Sequence, residues 1–214
     1  MDAVLGNLGA YGEGFVRTLS LTLVSGVLAM LLGTVLAAMR VAPTAALRAV
    51  GTAYVEVVRN TPLTIVFFFA VFVLPQLDVR LSFFTFAVLA LTVYHAAFFC
   101  EAVRSGINSV GVGQAEAARS IGLTFLQTLR HVVLPQAFRT VVPPLVNVLI
   151  ALTKNTSIAS AFGVVELVGI GGRLANETGQ ALAVLCGTAL GYLVITIPLG
   201  LLAGRLETRV AVAR

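Results

Sequence analysis

The 214-residue chain is 58% hydrophobic, only 11% charged, and carries a formal net charge of +5. A soluble domain needs roughly a quarter of its residues charged, and with a mean hydropathy of +1.00 this chain belongs in lipid. Its basic residues are scattered between apolar runs, which reads as an orientation signal and excludes a nucleic-acid partner.

In chain order, residues 1–15 read as a glycine-containing leader lying along the interface. They hold acidic Asp2 and Glu13 and no basic start, so the first apolar run is expected to be a retained span rather than a cleaved signal. Five spans are expected, at about 16–39, 50–74, 81–103, 133–153 and 179–204, within one domain covering 1–214. Thr18–Met39, Leu81–Cys100 and Thr178–Gly204 contain no Asp, Glu, Lys or Arg, and each meets the roughly 20-residue requirement for crossing the hydrocarbon core. The second span carries Glu56 and Arg59 in its first half and ends near Pro75. The fourth contains Pro143-Pro144 and is expected to kink or break there. Beyond Lys154 to Ser157, an outer segment to about Glu177 with four glycines reads as a re-entrant or short helical gate. The fifth span holds Gly187 and Gly191 at close-packing spacing.

Five spans put Arg40, Arg48, Arg104, Arg119, Arg130, Arg139, Arg205, Arg209 and Arg214 on one side, and Arg17, Arg80 and Arg173 on the other. The positive-inside rule then sets the N-terminus outside and the C-terminus in the cytoplasm.

The loop at about 105–132 is the longest polar segment on the cytoplasmic side. Gln114–Ile121 is made of strong helix formers, and Gly122 follows where a left-handed C-cap sits. Thr124 to Gln127 forms a capping box, and Pro135 suits the first turn of the next helix. Cys100 and Cys186 fall inside spans and read as small apolar side chains, not a disulfide. The only lysine is Lys154 and no GxxxxGK[ST] loop exists, so the chain has no P-loop for ATP. No catalytic constellation and no metal-ligand spacing is present.

Glu116-Ala117-Ala118, three residues, Gly122, nine residues, then Val132-Val133-Leu134-Pro135 resembles the EAA loop of ABC importer permeases, with Val132 where Ile is usual. The resemblance extends to the polar amino-acid permeases of the histidine/glutamine/glutamate type. It rests on Arg59-Asn60-Thr61-Pro62-Leu63, Glu101 to Ile107, Gly113-Gln114, Leu134 to Ala137 and Lys154-Asn155-Thr156-Ser157, and it covers about residues 14–205. It implies an all-α integral membrane subunit with the type I ABC importer permease fold. It further implies a second permease, identical or homologous, a pair of ABC ATPase subunits that bind ATP and magnesium, and an external solute-binding protein. The cargo implied is a polar amino acid, with the glutamate type favoured. No cofactor is expected in this chain. Glu116, Ala117, Ala118, Gly122, Leu134 and Pro135 would then form the ATPase-coupling surface.

Ionisable residues at membrane depth need partners or a role. Glu56 with Arg59, and Glu101 with Arg104, are each three apart and read as ion pairs. Lys154 reads as snorkelling outward, attracting a substrate carboxylate, or pairing with Glu166. Arg59, Thr61, Pro62, Lys154, Asn155, Thr156, Ser157 and Glu166 are therefore the candidate path or gate residues. His95 reads as a hydrogen-bonded core histidine. The competing reading is a self-contained channel or secondary carrier, which leaves the cytoplasmic helix pair without a purpose and lacks an inverted repeat.

Overall fold

The computed structural model describes residues 2–211, without the side chains of residues 2, 125, 126, 129, 134, 138, 139 and 207–211. The side chains of Leu134, Arg139 and Arg209, and the whole of Arg214, thus lie outside the described residues. The elements are α1 (Asp2–Leu5), α2 (Leu8–Val41), α3 (Ala45–Arg59), α4 (Leu63–Phe68), a π turn (Phe69–Val73), α5 (Leu74–Gln76) and α6 (Phe83–Asn108). They continue with α7 (Val112–Ser120), α8 (Phe125–Thr128), a second π turn (Leu129–Val133), α9 (Leu134–Asn155), a 3-10 turn (Thr156–Phe162), α10 (Leu167–Thr178) and α11 (Ala181–Ala211).

Among the described residues, four helical stretches are long and apolar enough to cross a membrane: Leu8–Val41, Phe83–Asn108, Arg130–Phe162 and Ala181–Leu206. A fifth crossing arises only if the bent pair Ala45–Arg59 and Leu63–Gln76 counts as one. The expected span at 50–74 is this bent pair, whose two arms meet at 102°. Pro62 at the elbow has extended backbone (φ −60°, ψ 136°), so the helix stops before it and restarts in a new direction.

Inside lipid, helices gain little from hiding apolar surface and associate through close packing of small residues. The α2–α6 contact follows that rule. Ala29, Gly33 and Ala37 recur every fourth residue on α2 and are buried. A Cβ added at Gly33 would lie 2.7 Å from Phe99 Cβ and 2.8 Å from the Ala96 carbonyl oxygen. The leader is also corrected. Its second half is the start of α2, where the Tyr11 hydroxyl donates to the Val184 carbonyl at 2.8 Å.

The same tight packing explains α9. The expected break at Pro143-Pro144 does not occur, because the helix runs unbroken from Leu134 to Asn155. Val141, just before the pair, is pressed onto Gly106 of α6, where any Cβ would meet it at 1.7 Å. Proline is tolerated in such a helix when protein, not lipid, lies against it. Both Leu-Pro-Gln segments, Leu74 to Gln76 and Leu134 to Gln136, directly follow a π turn. A proline lacks its own N–H and crowds the carbonyl four residues earlier, and widening to the i→i+5 pattern makes room for it without ending the helix.

Gly187 and Gly191 pack within the chain. Gly187 sits under Tyr11 and Val4, and Gly191 under Leu167, at Cβ distances of 3.0–3.2 Å. An aromatic cluster closes the α5 end. Phe67 stacks on Phe162 at 5.0 Å, and Phe68 meets Phe162 edge-on at 5.1 Å.

Candidate functional site

At one end of the molecule, α7 and α8 stand between α6 and α9. Glycine at position 122 adopts φ 89°, a conformation that costs residues with a Cβ of the order of 1–2 kcal/mol. It permits a complete Schellman ending. Leu123 N–H donates to Ala118 O at 3.2 Å, and Gly122 N–H to Arg119 O at 3.0 Å. The capping box then starts α8: Thr124 N–H donates to Gln127 Oε1 at 2.9 Å, and Gln127 N–H to Thr124 Oγ1 at 3.3 Å. The two short helices are thus joined by a turn with its backbone groups paired, which makes the unit stiff.

The outward surface of that unit is unlike a solvated loop. Glu116 and Ala117 are exposed while Ala118 is buried, so of the two alanines only Ala117 is free to meet another molecule. Val112 and Ile121 flank them at 73% and 79% exposure. A rigid rod with a carboxylate between two bare apolar side chains suits docking into a complementary groove. Pro135 is exposed in the first turn of α9.

Toward the other end, Glu166 is fully buried and caps α10, with its Oε1 accepting from Val168 N–H at 2.8 Å and Gly169 N–H at 3.0 Å. Its Oε2 accepts from the Tyr192 hydroxyl at 2.6 Å and from Thr18 Oγ1 at 3.3 Å. Burial pushes this carboxyl above the usual carboxylate range, against the pull of those four donors. One side chain therefore ties α10 to α2 and α11. Of the three readings of Lys154, pairing with Glu166 is not made. Lys154 is exposed instead, and with Ser157, Thr188 and Tyr192 it lines an open cavity of about 280 Å³. Tyr192 was not among the sequence candidates. Its signal was a phenol within an uncharged span, where a hydroxyl requires a partner.

The other candidates scatter. Asn155 faces away from that cavity: His95 Nδ1 lies 2.9 Å from the Leu91 carbonyl, and His95 Nε2 lies 3.1 Å from Asn155 Nδ2. The Nδ1–H tautomer satisfies both contacts, so the amide donates to the ring. Thr156 is buried and donates to Thr153 O at 2.7 Å. Thr61 and Pro62 belong to the elbow, where the Thr61 hydroxyl donates to Val57 O at 2.8 Å. The Glu56–Arg59 pair is also absent: Glu56 is exposed, and Arg59 reaches Glu101 at 3.5 Å. Glu101 does pair with Arg104 at 2.9 Å, as the spacing suggested, and also with Arg40. A second cavity, of about 240 Å³, is lined by Leu23, Val27, Met30, Phe99 and other apolar groups. It offers a charged cargo no hydrogen-bond partner.

A family model described as the binding-protein-dependent transport system inner membrane component matches residues 29–212. The chain belongs to that family. It is 44% identical over 210 residues to the glutamate transport system permease protein GluC of Corynebacterium efficiens, covering 92% of each chain. It is 40% identical to the probable glutamine ABC transporter permease protein GlnM of Bacillus subtilis, covering 95% of this chain and 94% of the relative. Among solved structures it is similar to an amino acid ABC transporter crystallised with histidines, at TM-score 0.90 and 30% identity over 96% of each chain. As a member of this family the chain is a multi-pass inner-membrane component with the type I importer permease fold.

Proposed function

We propose that the chain is the permease subunit of an ATP-driven importer of a polar amino acid, with glutamate as the favoured cargo. The relatives that support glutamate over other cargoes are those named for glutamate and glutamine transport. In this reading residues 1–214 form a single permease domain with the N-terminus outside and the C-terminus in the cytoplasm. A second permease completes the path, two ATPase subunits bind ATP and its magnesium ion, and a solute-binding protein delivers cargo from outside.

The observation that carries the reading is the stiff, outward-facing α7–α8 unit, with exposed Glu116 and Ala117 and the left-handed turn at Gly122. A chain with no P-loop of its own obtains work from ATP only through contact with a nucleotide-binding partner. The α7 rod is the described element built for that contact. It leads through α8 and the second π turn into α9, which ends at Asn155, so movement of Glu116, Ala117, Ala118 and Gly122 passes through Leu134-Pro135 into α9 and reaches the cavity at Lys154 and Ser157. Lys154 meets the carboxylate of the cargo there, while Tyr192, held by Glu166, offers its ring and oxygen. The elbow at Arg59, Thr61 and Pro62 and the α10 cap form the moving walls. Isotope-labelled glutamate uptake in cells lacking the chain tests the reading. Uptake should fall to background and return on complementation, whereas undiminished uptake of glutamate and of glutamine rejects it.

A further inference from the structure

The elbow helix α3 has three distinct sides. At about 100° per residue, Gly51, Val55 and Val58 fall on one side and are buried against α2 and α6. Val50 and Val57, seven apart, share one flank and are exposed at 59% and 66%. Arg48 and Arg59, eleven apart, share the opposite flank. Contacts with α6 fix which way each flank points. On the valine side, the Tyr54 hydroxyl donates to Val93 O at 2.8 Å, toward the middle of α6. On the arginine side, Arg59 reaches Glu101, about 12 Å further toward the Asn108 end at 1.5 Å per residue. The 102° bend after α3 keeps the helix from rising into the core with α4. An apolar flank toward the bilayer centre and a basic flank toward its surface is the arrangement of an interfacial helix.

The charge at this level is unbalanced. Arg40, Arg48, Arg59 and Arg104 gather here against Glu56 and Glu101. Arg40 and Arg104 take one carboxylate oxygen each of Glu101, leaving Arg59 with a 3.5 Å contact and a face on the Phe98 ring at 5.6 Å. Arg59 is 42% exposed, so part of its guanidinium is open to another acceptor. Arg104 Nε is buried without a hydrogen-bond acceptor among the described residues. Arg59 thus has only a 3.5 Å contact to a carboxylate oxygen it shares with Arg40, and Arg104 keeps its Nε without an acceptor, on the side of α3 opposite its bare valines.

We propose that Arg59 and Arg104 form a binding site for the phosphate of an anionic phospholipid, whose acyl chains lie along the Val50–Val57 flank of α3. Guanidinium forks match phosphate oxygens. A choline or ethanolamine headgroup would bring its own cation into an already positive cluster, so an anionic lipid is selected over a zwitterionic one. A free phosphate would leave the valines uncovered. The site deepens the transporter reading by naming a lipid partner, and it rests on that reading only for the assembly in which it is tested.

The test is native mass spectrometry of the purified transporter, this chain with its partner subunits, after titration with phosphatidylglycerol and phosphatidylcholine of matched acyl chains. An arginine at an anionic surface contributes about fivefold in affinity. The intact protein should therefore retain phosphatidylglycerol at least fivefold better, Arg59→Gln should remove most of that preference, and Arg80→Gln, in the exposed loop at the other end, should leave it intact. Arg59 is the more exposed of the two arginines, at 42% against 36%, so Arg59→Gln decides the matter even where Arg104→Gln fails to assemble. Equal retention of the two lipids, preference unchanged in Arg59→Gln, or displacement of the lipid by equimolar inorganic phosphate would each overturn the proposal. Because binding is read without transport, a failure here is separable from a failure to carry glutamate.

Discussion

The two ends of this molecule use their carboxylates in opposite ways. At the α7 end Glu116 is exposed, on a rod whose stiffness comes from backbone pairing in the turn behind it. At the α10 end Glu166 is wholly buried and its oxygens accept from four donors on α10, α2 and α11. An exposed, unspent carboxylate on a rigid support is available to another protein. A saturated one holds its own chain in shape. The same residue type is therefore left open at the surface in one place and makes a structural joint in the other, and only the surroundings tell them apart.

The largest effect should come from breaking the joint. Glu166→Ala leaves two half-buried α10 amide donors, the Tyr192 hydroxyl and the buried Thr18 hydroxyl without their acceptor. Loss of a helix cap together with unmatched buried donors costs about 3 kcal/mol, so thermal unfolding of the purified transporter should begin markedly earlier. Glu166→Gln, which keeps an acceptor oxygen, should recover most of that loss. An unaltered unfolding temperature in Glu166→Ala would erase the contrast between the two ends.

Gly122→Val should be smaller in stability and larger in coupling. A β-branched residue at φ 89° is strained by about 1–2 kcal/mol, and relief of that strain opens the turn between α7 and α8. Insertion should persist while ATP-driven uptake falls about tenfold, a loss of that free-energy size. Normal uptake would mean that the stiffness of the turn is not what transmits movement.

The smallest expected effect is at Lys154. Its side chain is exposed on an open cavity, so an attraction to a cargo carboxylate is worth about 1 kcal/mol. Lys154→Ala should raise the apparent KM for glutamate about fivefold with little change in unfolding temperature. Unchanged KM and rate would remove it from the path.

The contrast also accounts for what the sequence made visible. Glu116, Gly122, Thr124 and Gln127 act through neighbours at most a few residues away, so their caps and turn were legible as local pattern. The uncharged runs were legible too, since crossing lipid demands length and apolarity together. Glu166 was not, because its partners Thr18 and Tyr192 lie 148 and 26 residues away. The elbow was missed for a different reason: a hydropathy window records how apolar a stretch is but not its direction. Pro62 and the split flanks of α3 were the available signals. Glu56 and Arg59 looked like an intrahelical pair at spacing three, yet Arg59 turned to Glu101 on α6, as tertiary packing set its rotamer. The proline pair in α9 was overread, since a neighbouring glycine at 106 gave the helix support that its own sequence does not announce.

The central claim is that α7 is the surface through which a separate ATPase moves this chain. Its most direct test is labelled glutamate uptake into vesicles holding the complete transporter with Glu116→Lys, with the ATPase content and ATP hydrolysis of the same preparation measured alongside. The account predicts an inserted, correctly folded chain whose ATP-driven uptake falls to background because charge reversal defeats docking or transmission. Uptake at the normal rate, with the ATPase bound as before, would contradict it.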